Sequence, residues 1–186
     1  MIYKILWAIR AILYKPFFGK LGMPSYIGKP IYLAGVRNVF IGKRVRIFPH
    51  IRMEAIGKGT ITLGNNTAIS QGFHVTAAGN LVIGEGTTIA GNVFVTDIDH
   101  EYRNIGTHVL DQPYITSPTS IGKNCLIGFG ACIQAGTILG EQCIVGANSV
   151  VRGTYSPYSV IVGVPGRVIK RYNCEKKIWE KINDKN

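Results

Sequence analysis

Acidic residues are absent from the first 53 positions, where ten lysines and arginines stand unopposed. A segment of one charge sign points to an anionic partner or to a solvated basic face. From Glu54 to Gly166 the balance turns, with seven acids against four bases, and the stretch from Arg167 is basic again. Cys125, Cys132, Cys143 and Cys174 form no C-x-x-C pair and no metal-ligand spacing, which fits a reducing cytosol. A run long enough to span a bilayer is also missing. The most apolar stretch, MIYKILWAIRAILYKPFF, is broken by Lys4, Arg10 and Lys15, and no small-residue cleavage site follows it. Proline is modest at 8 residues while glycine reaches 23, well above the usual share of about 7%. Glycine in excess without proline marks repeated tight turns, not low complexity.

What the first stretch does contain is a helical beat. Ile2, Ile5, Leu6, Ile9, Ile12 and Leu13 recur at 3.6-residue spacing, with the basic residues elsewhere on the wheel. The spacing predicts an amphipathic helix ending near Pro16. It either caps the open end of a core or contacts an anionic membrane surface, and the two roles are compatible.

The rest of the chain beats in sixes. Ile41-Gly42, Leu63-Gly64, Ile83-Gly84, Ile89-Ala90, Ile121-Gly122, Ile127-Gly128, Leu139-Gly140 and Val145-Gly146 repeat an aliphatic residue followed by a small one. Four places after the aliphatic residue a second small side chain often follows, as at Thr67, Thr87, Ala131, Thr137, Cys143 and Ser149. An aliphatic side chain every sixth residue reaches a common axis if each hexapeptide is one flat face and a corner. Three faces close a triangular coil of about eighteen residues, and coils stack at the strand spacing of about 4.8 Å. Cys125 then lies below Cys143 as a buried small hydrophobe, and Ile127 below Val145. Neither a 3.6 nor a 2.0 period describes these segments.

On this repeat, and on the segment ILGEQCIVGANSVVRGTYSPYSVIVGVPGRVIKRY, the chain resembles the hexapeptide-repeat acyltransferases from about Tyr26 to Tyr172. Within that family it looks like the bacterial O-acetyltransferases of surface-polysaccharide synthesis and the galactoside and maltose acetyltransferases. The resemblance implies a left-handed parallel β-helix, a handedness that spacing alone does not give, since parallel crossovers are otherwise almost always right-handed. The expected organisation is an N-terminal amphipathic helical segment over residues 1–25, the β-helix over 26–172 and a short helical tail over 173–186.

The beat is lost between Asp97 and Ser120, in DIDHEYRNIGTHVLDQPYITSPTS, and returns at Ile121. A solenoid extrudes insertions as loops, commonly on its binding face. Acyl transfer needs a base for the acceptor's proton, and histidine suits that task near neutral pH. His100, where the loop departs, matches the position of the family's catalytic histidine. His108, His50 and His74 have no such match. Asp97, Asp99 and Glu101 surround His100; any of them would fix its tautomer, or Asp97 would contact the acceptor. Ser70 and Gln71, about one coil earlier, are further acceptor-site residues.

The resemblance also implies acetyl-CoA as donor and a trimer in which His100 of one chain faces the oxyanion-binding peptide at Phe129 of the next. The pantetheine arm would pass Gly128, Phe129 and Ala147, and the phosphates and adenine would reach Arg152, Gly153, Arg167 and Lys170. The family usually carries tryptophan where Leu126 stands and a Thr-Lys pair where Arg152 and Gly153 stand. The expected reaction is acetylation of a sugar hydroxyl in surface-glycan synthesis, the sugar free or carried on a nucleotide or lipid. An amino sugar acetylated on nitrogen is the alternative acceptor, and a non-catalytic scaffold the alternative class. No metal is expected, because the separations of the four histidines (24, 26 and 8 residues) do not match the zinc lyases of this fold. No nucleic-acid partner is expected, and the setting is cytoplasmic, with membrane contact through the basic N-terminus.

Overall fold

The computed structural model describes residues 2–182. Met1 and residues 183–186, the end of the expected tail, lie outside the described residues, as does the side chain of Ile2. One helix, α1 (Ile2–Tyr14), precedes a left-handed parallel β-helix of about seven turns. Its three faces are three stacks of short parallel strands. The first runs from Lys20–Leu21 to Thr154–Tyr155, the second from Tyr26–Ile27 to Ser159–Val162, and the third from Tyr32–Ala34 to Val150–Val151. The coils thus begin at Lys20, inside the segment assigned from sequence to the helical N-terminus.

Alternation along every strand sends one side chain to the axis and the next outward. Leu63, Ile83 and Ile121 stand on one another inside, as do Ile69, Ile89 and Ile127, all essentially unexposed. Small polar residues close one corner: the Thr67 hydroxyl donates to the Gly64 carbonyl and the Thr87 hydroxyl to that of Gly122. Cys125 and Cys143 occupy the same corner in later coils, both buried, and burial pushes the Cys125 thiol up to about 11.

Coil length is the first difference from the sequence reading. After the loop, Leu126 pairs with Ile144 and Cys132 with Val150, eighteen residues apart. Before it, Ile69 pairs with Ile89 at twenty and Met53 with Val75 at twenty-two. The early strands Arg52–Ala55, Thr60–Leu63, His74–Ala77 and Asn80–Ile83 are four residues long where later ones are two. Residues added in pairs keep inward positions inward, so the core tolerates longer faces.

The second difference is the tail. Residues Arg167–Asn173 and Ile178–Lys181 form an antiparallel hairpin on the second face, not a helix. The segment is rich in helix-forming Lys and Glu, and Lys176 and Glu180 do make an i,i+4 pair. Here a turn brings them together, and the cross-strand pair Tyr172–Trp179, with ring centroids 5.5 Å apart, packs against Tyr158.

Candidate active site

The chain leaves the third face after Phe94–Thr96 and returns to the first at Thr119–Ile121. The excursion is a two-stranded antiparallel hairpin, Ile98–His100 against Tyr114–Thr116, joined by a loop with one 3-10 turn at Val109–Asp111. Gln112, buried at the loop's base, donates to the carbonyls of Asn104 and Thr107 and accepts from the Asn104 N–H. His108 accepts at Nδ1 from the Leu110 N–H, so it caps the 3-10 turn. Ile105, Leu110 and Tyr102 are left in solvent, Ile105 at 95% exposure.

His100 ends the first hairpin strand. Its ring stands edge-on to Tyr114 at 5.2 Å between centroids. It forms part of the wall of a cleft of about 450 Å³ whose floor is the outer side of the third face, including Arg52, Glu54, His74 and Phe94, with Gln134 also in its lining. Each of the three acids around His100 is engaged elsewhere. Asp97, only 2% exposed, accepts from the Ala78 and Gly79 N–H groups at 2.9 Å each. Asp99 pairs with Arg152 at 2.6 Å. Glu101 pairs with Arg103, whose guanidinium hydrogen bonds hold the carboxyl down to about 2. Tyr114 packing, not a carboxylate, orients the imidazole among the described residues.

Asp97 is turned away from the His100 cleft. Both of its oxygens accept N–H groups from the corner of the preceding coil, where it anchors the excursion.

The other expected residues fall into two groups. Gln71, Gly91, Phe129 and Ala147 stack on the corner that enters the third face. Asn92 donates to the Gln71 carbonyl, Gly130 to that of Gly91 and Asn148 to that of Phe129, at 2.8–2.9 Å. Ser70 precedes Gln71 on this edge, away from the cleft. Gly128 is needed here because a Cβ would stand 2.5 Å from the Ala147 nitrogen. The Phe129 N–H donates no hydrogen bond among the described residues, whereas those of Gly128 and Gly130 on either side are used. The edge continues past Gly146, which packs on Val162, to the exposed Arg167 opposite Val162, with Lys170 farther along that strand. Arg152 and Gly153 lie on the opposite corner, where the chain leaves the third face, beside Asp99. His100 and Phe129 of one chain thus stand at opposite edges of one face, and the residues expected to hold the cofactor do not form one groove within a chain.

Arg52 and Glu54 escaped the sequence reading, and His74 was given no role in it. They occupy outward positions in register, Arg52 beside His74 and His74 beside Phe94, and a twenty- to twenty-two-residue coil length would have aligned them. Arg52 pairs with Glu54 at 2.5 Å, lies 4.5 Å over the Tyr32 ring and has a buried Nε with no hydrogen-bond partner among the described residues. Burial first, and the Arg52 charge second, lower the His74 pKa.

Residues 118–152 match the model of the hexapeptide repeat of succinyl-transferase. Over 161 residues the chain is 33% identical to a putative lipopolysaccharide biosynthesis O-acetyl transferase, WbbJ, of Escherichia coli K12, covering 82% of this chain and 81% of that one. The chain belongs to the hexapeptide-repeat acyltransferases. Among solved structures, a variant of AntD, an N-acyltransferase from Bacillus cereus in complex with dTDP and coenzyme A, superposes with a TM-score of 0.74 at 21% identity over 89% of each chain, a likeness of fold. A galactoside acetyltransferase in complex with coenzyme A is 28% identical, with a TM-score of 0.53 over 67% of this chain and 60% of that one. Membership makes this chain an acyltransferase.

Proposed function

We propose that this acyltransferase moves an acetyl group from acetyl-CoA to a hydroxyl of a sugar in surface-polysaccharide synthesis, in the cytoplasm, with His100 as general base. The observation that carries the proposal is His100 itself: an imidazole on the wall of a polar cleft, unpaired with any acid among the described residues and therefore free to accept a proton. The likeness to an O-acetyl transferase of lipopolysaccharide synthesis supports the acceptor class, and so does a floor of Arg52, Glu54 and His74, which suits a polyhydroxyl ligand. A nucleotide or lipid phosphate on the sugar fits the same reading.

Coenzyme A supplies the acetyl group as a thioester. His100 takes the proton from the acceptor hydroxyl as its oxygen attacks the thioester carbon. The Phe129 N–H donates to the carbonyl oxygen as charge develops there, and a backbone donor costs no reorganisation. The proton held on His100 then passes to the departing thiolate. Arg167 and Lys170 suit the phosphates.

Because His100 and Phe129 of one chain lie on opposite edges of the third face, a complete site requires two chains. A homotrimer, each excursion reaching the Phe129 edge of its neighbour, meets that requirement and covers the apolar loop tip at Ile105 and Leu110. Ultracentrifugation is expected to give three chain masses, and a single-chain mass rejects the assembly.

Thiol release from acetyl-CoA with a panel of sugars, amino sugars and their nucleotide conjugates tests the reaction. Turnover on a hydroxyl acceptor is expected, with His100→Ala lowering kcat about 10²- to 10⁴-fold. Faster transfer to an amine rejects the hydroxyl, an active His100→Ala rejects the base, and absence of turnover on every carbohydrate rejects the acceptor class.

A further inference from the structure

The helix α1 does not present its aliphatic face to the core. At 100° per residue, Ile5, Leu6, Ile9, Ile12 and Leu13 share one side, and each is between 48% and 64% exposed. The opposite side does the packing. Ala11 is fully buried, Trp7 meets Tyr26 and Phe48 with centroids 5.8 and 5.3 Å away, and Tyr14 stacks on Phe18. Arg10 is drawn in as well, donating to the Ile27 carbonyl at 3.3 Å. The helix is fixed on the first coil by its aromatic side, and its aliphatic side, extended by the exposed Phe17, faces solvent without a polar residue in it.

Contiguous exposed apolar surface of this kind marks a docking site, and charge selects the occupant. Lys4, Lys15, Lys20, Arg37, Lys43 and Arg44 are exposed around the helix, and the first 53 residues hold ten bases and no acid. A second copy on this face would bring two such acid-free segments together, whereas an anionic phospholipid surface takes both the aliphatic side chains and the surrounding charge. Among the described residues no helix is long and apolar enough to cross a membrane, so the helix would lie in the interface plane.

We propose that α1 docks the protein peripherally on anionic phospholipid bilayers, its aliphatic face entering the headgroup region and the basic first coils resting on the headgroups. Docking requires no turnover, so it stands or falls apart from the acetyl-transfer reading.

Flotation of the full chain with vesicles of phosphatidylcholine, alone or mixed with phosphatidylglycerol, tests the proposal. The protein is expected to float with the mixed vesicles at low salt and to lose binding as salt rises. The variant Leu6→Gln/Ile9→Gln/Leu13→Gln, which keeps good helix formers on a solvent-facing side, is expected to lower the bound fraction at least about tenfold with an unchanged far-UV spectrum and melting temperature. A wild-type protein that stays with neither vesicle, or a triple variant that floats as well as wild type, overturns the proposal. A variant that sediments at lower mass than a wild type indifferent to vesicles assigns the face to a second copy and also overturns it.

Discussion

Inside the stacked coils, aliphatic residues with essentially no exposure stand on their counterparts one turn away, each coil hydrogen-bonded to its neighbours. In the excursion between Asp97 and Pro118 the proportions reverse: Tyr102, Ile105 and Leu110 are open to water, and the segment is held by one buried amide, Gln112, and one buried carboxylate, Asp97. The coils hold the buried apolar core and the excursion holds His100. The residue that joins them, Asp97, is polar and fully enclosed. Stability and activity should therefore separate under mutation.

His100→Ala sharpens that separation most: a rate loss of about 10²- to 10⁴-fold with a melting temperature unchanged, since the exposed ring stands against Tyr114 on the wall of the cleft. A matching drop in melting temperature would mean the excursion supports the coils. Phe73→Ala does the converse. It empties the volume of a fully buried ring and is expected to cost about 3–5 kcal/mol in denaturant unfolding, with kcat retained in the fraction that remains folded.

Asp97→Ala probes the junction. It strands the N–H groups of Ala78 and Gly79 and should cost about 1–3 kcal/mol while also lowering activity, the one substitution here that moves both readouts. The smallest effect concerns His74. Its pKa is lowered in the folded protein by burial and by Arg52, so protonation favours the unfolded chain. Stability from this group is complete above the unfolded value of about 6.5 and declines as pH falls below it. Melting temperatures between neutral and mildly acid pH should fall less steeply in His74→Gln than in wild type.

The sequence displayed the coils because hexapeptide faces impose a rhythm on inward positions, and Ile-Gly and Leu-Gly pairs punctuate it. Coil length was less visible: residues inserted in pairs, as in Arg52–Ala55 and Asn80–Ile83, leave inside and outside unchanged. That concealment hid the cleft floor. Arg52 and His74 sit on outward positions, where no periodicity is enforced, and align only when twenty- and twenty-two-residue coils are stacked. His100 was legible because the beat stops beside it. The commitment of Asp97 to a neighbouring coil was not, since its partners are backbone groups nearly a full turn earlier. Tail residues 173–182 follow tertiary pairing over local preference, with Trp179 on Tyr172 deciding for a hairpin.

That hairpin also ends the stack. A column of parallel strands exposes open hydrogen-bonding groups at its last coil, a template on which a further column could grow into a fibre. Reversing the chain at Gly163–Gly166 adds Arg167–Asn173 antiparallel at the edge of the second sheet, and the outermost strand, Ile178–Lys181, carries Glu180 and Lys181 at the rim. The change of direction closes the second face to a further parallel coil, so that on this face the repetition stops at a strand of opposite sense.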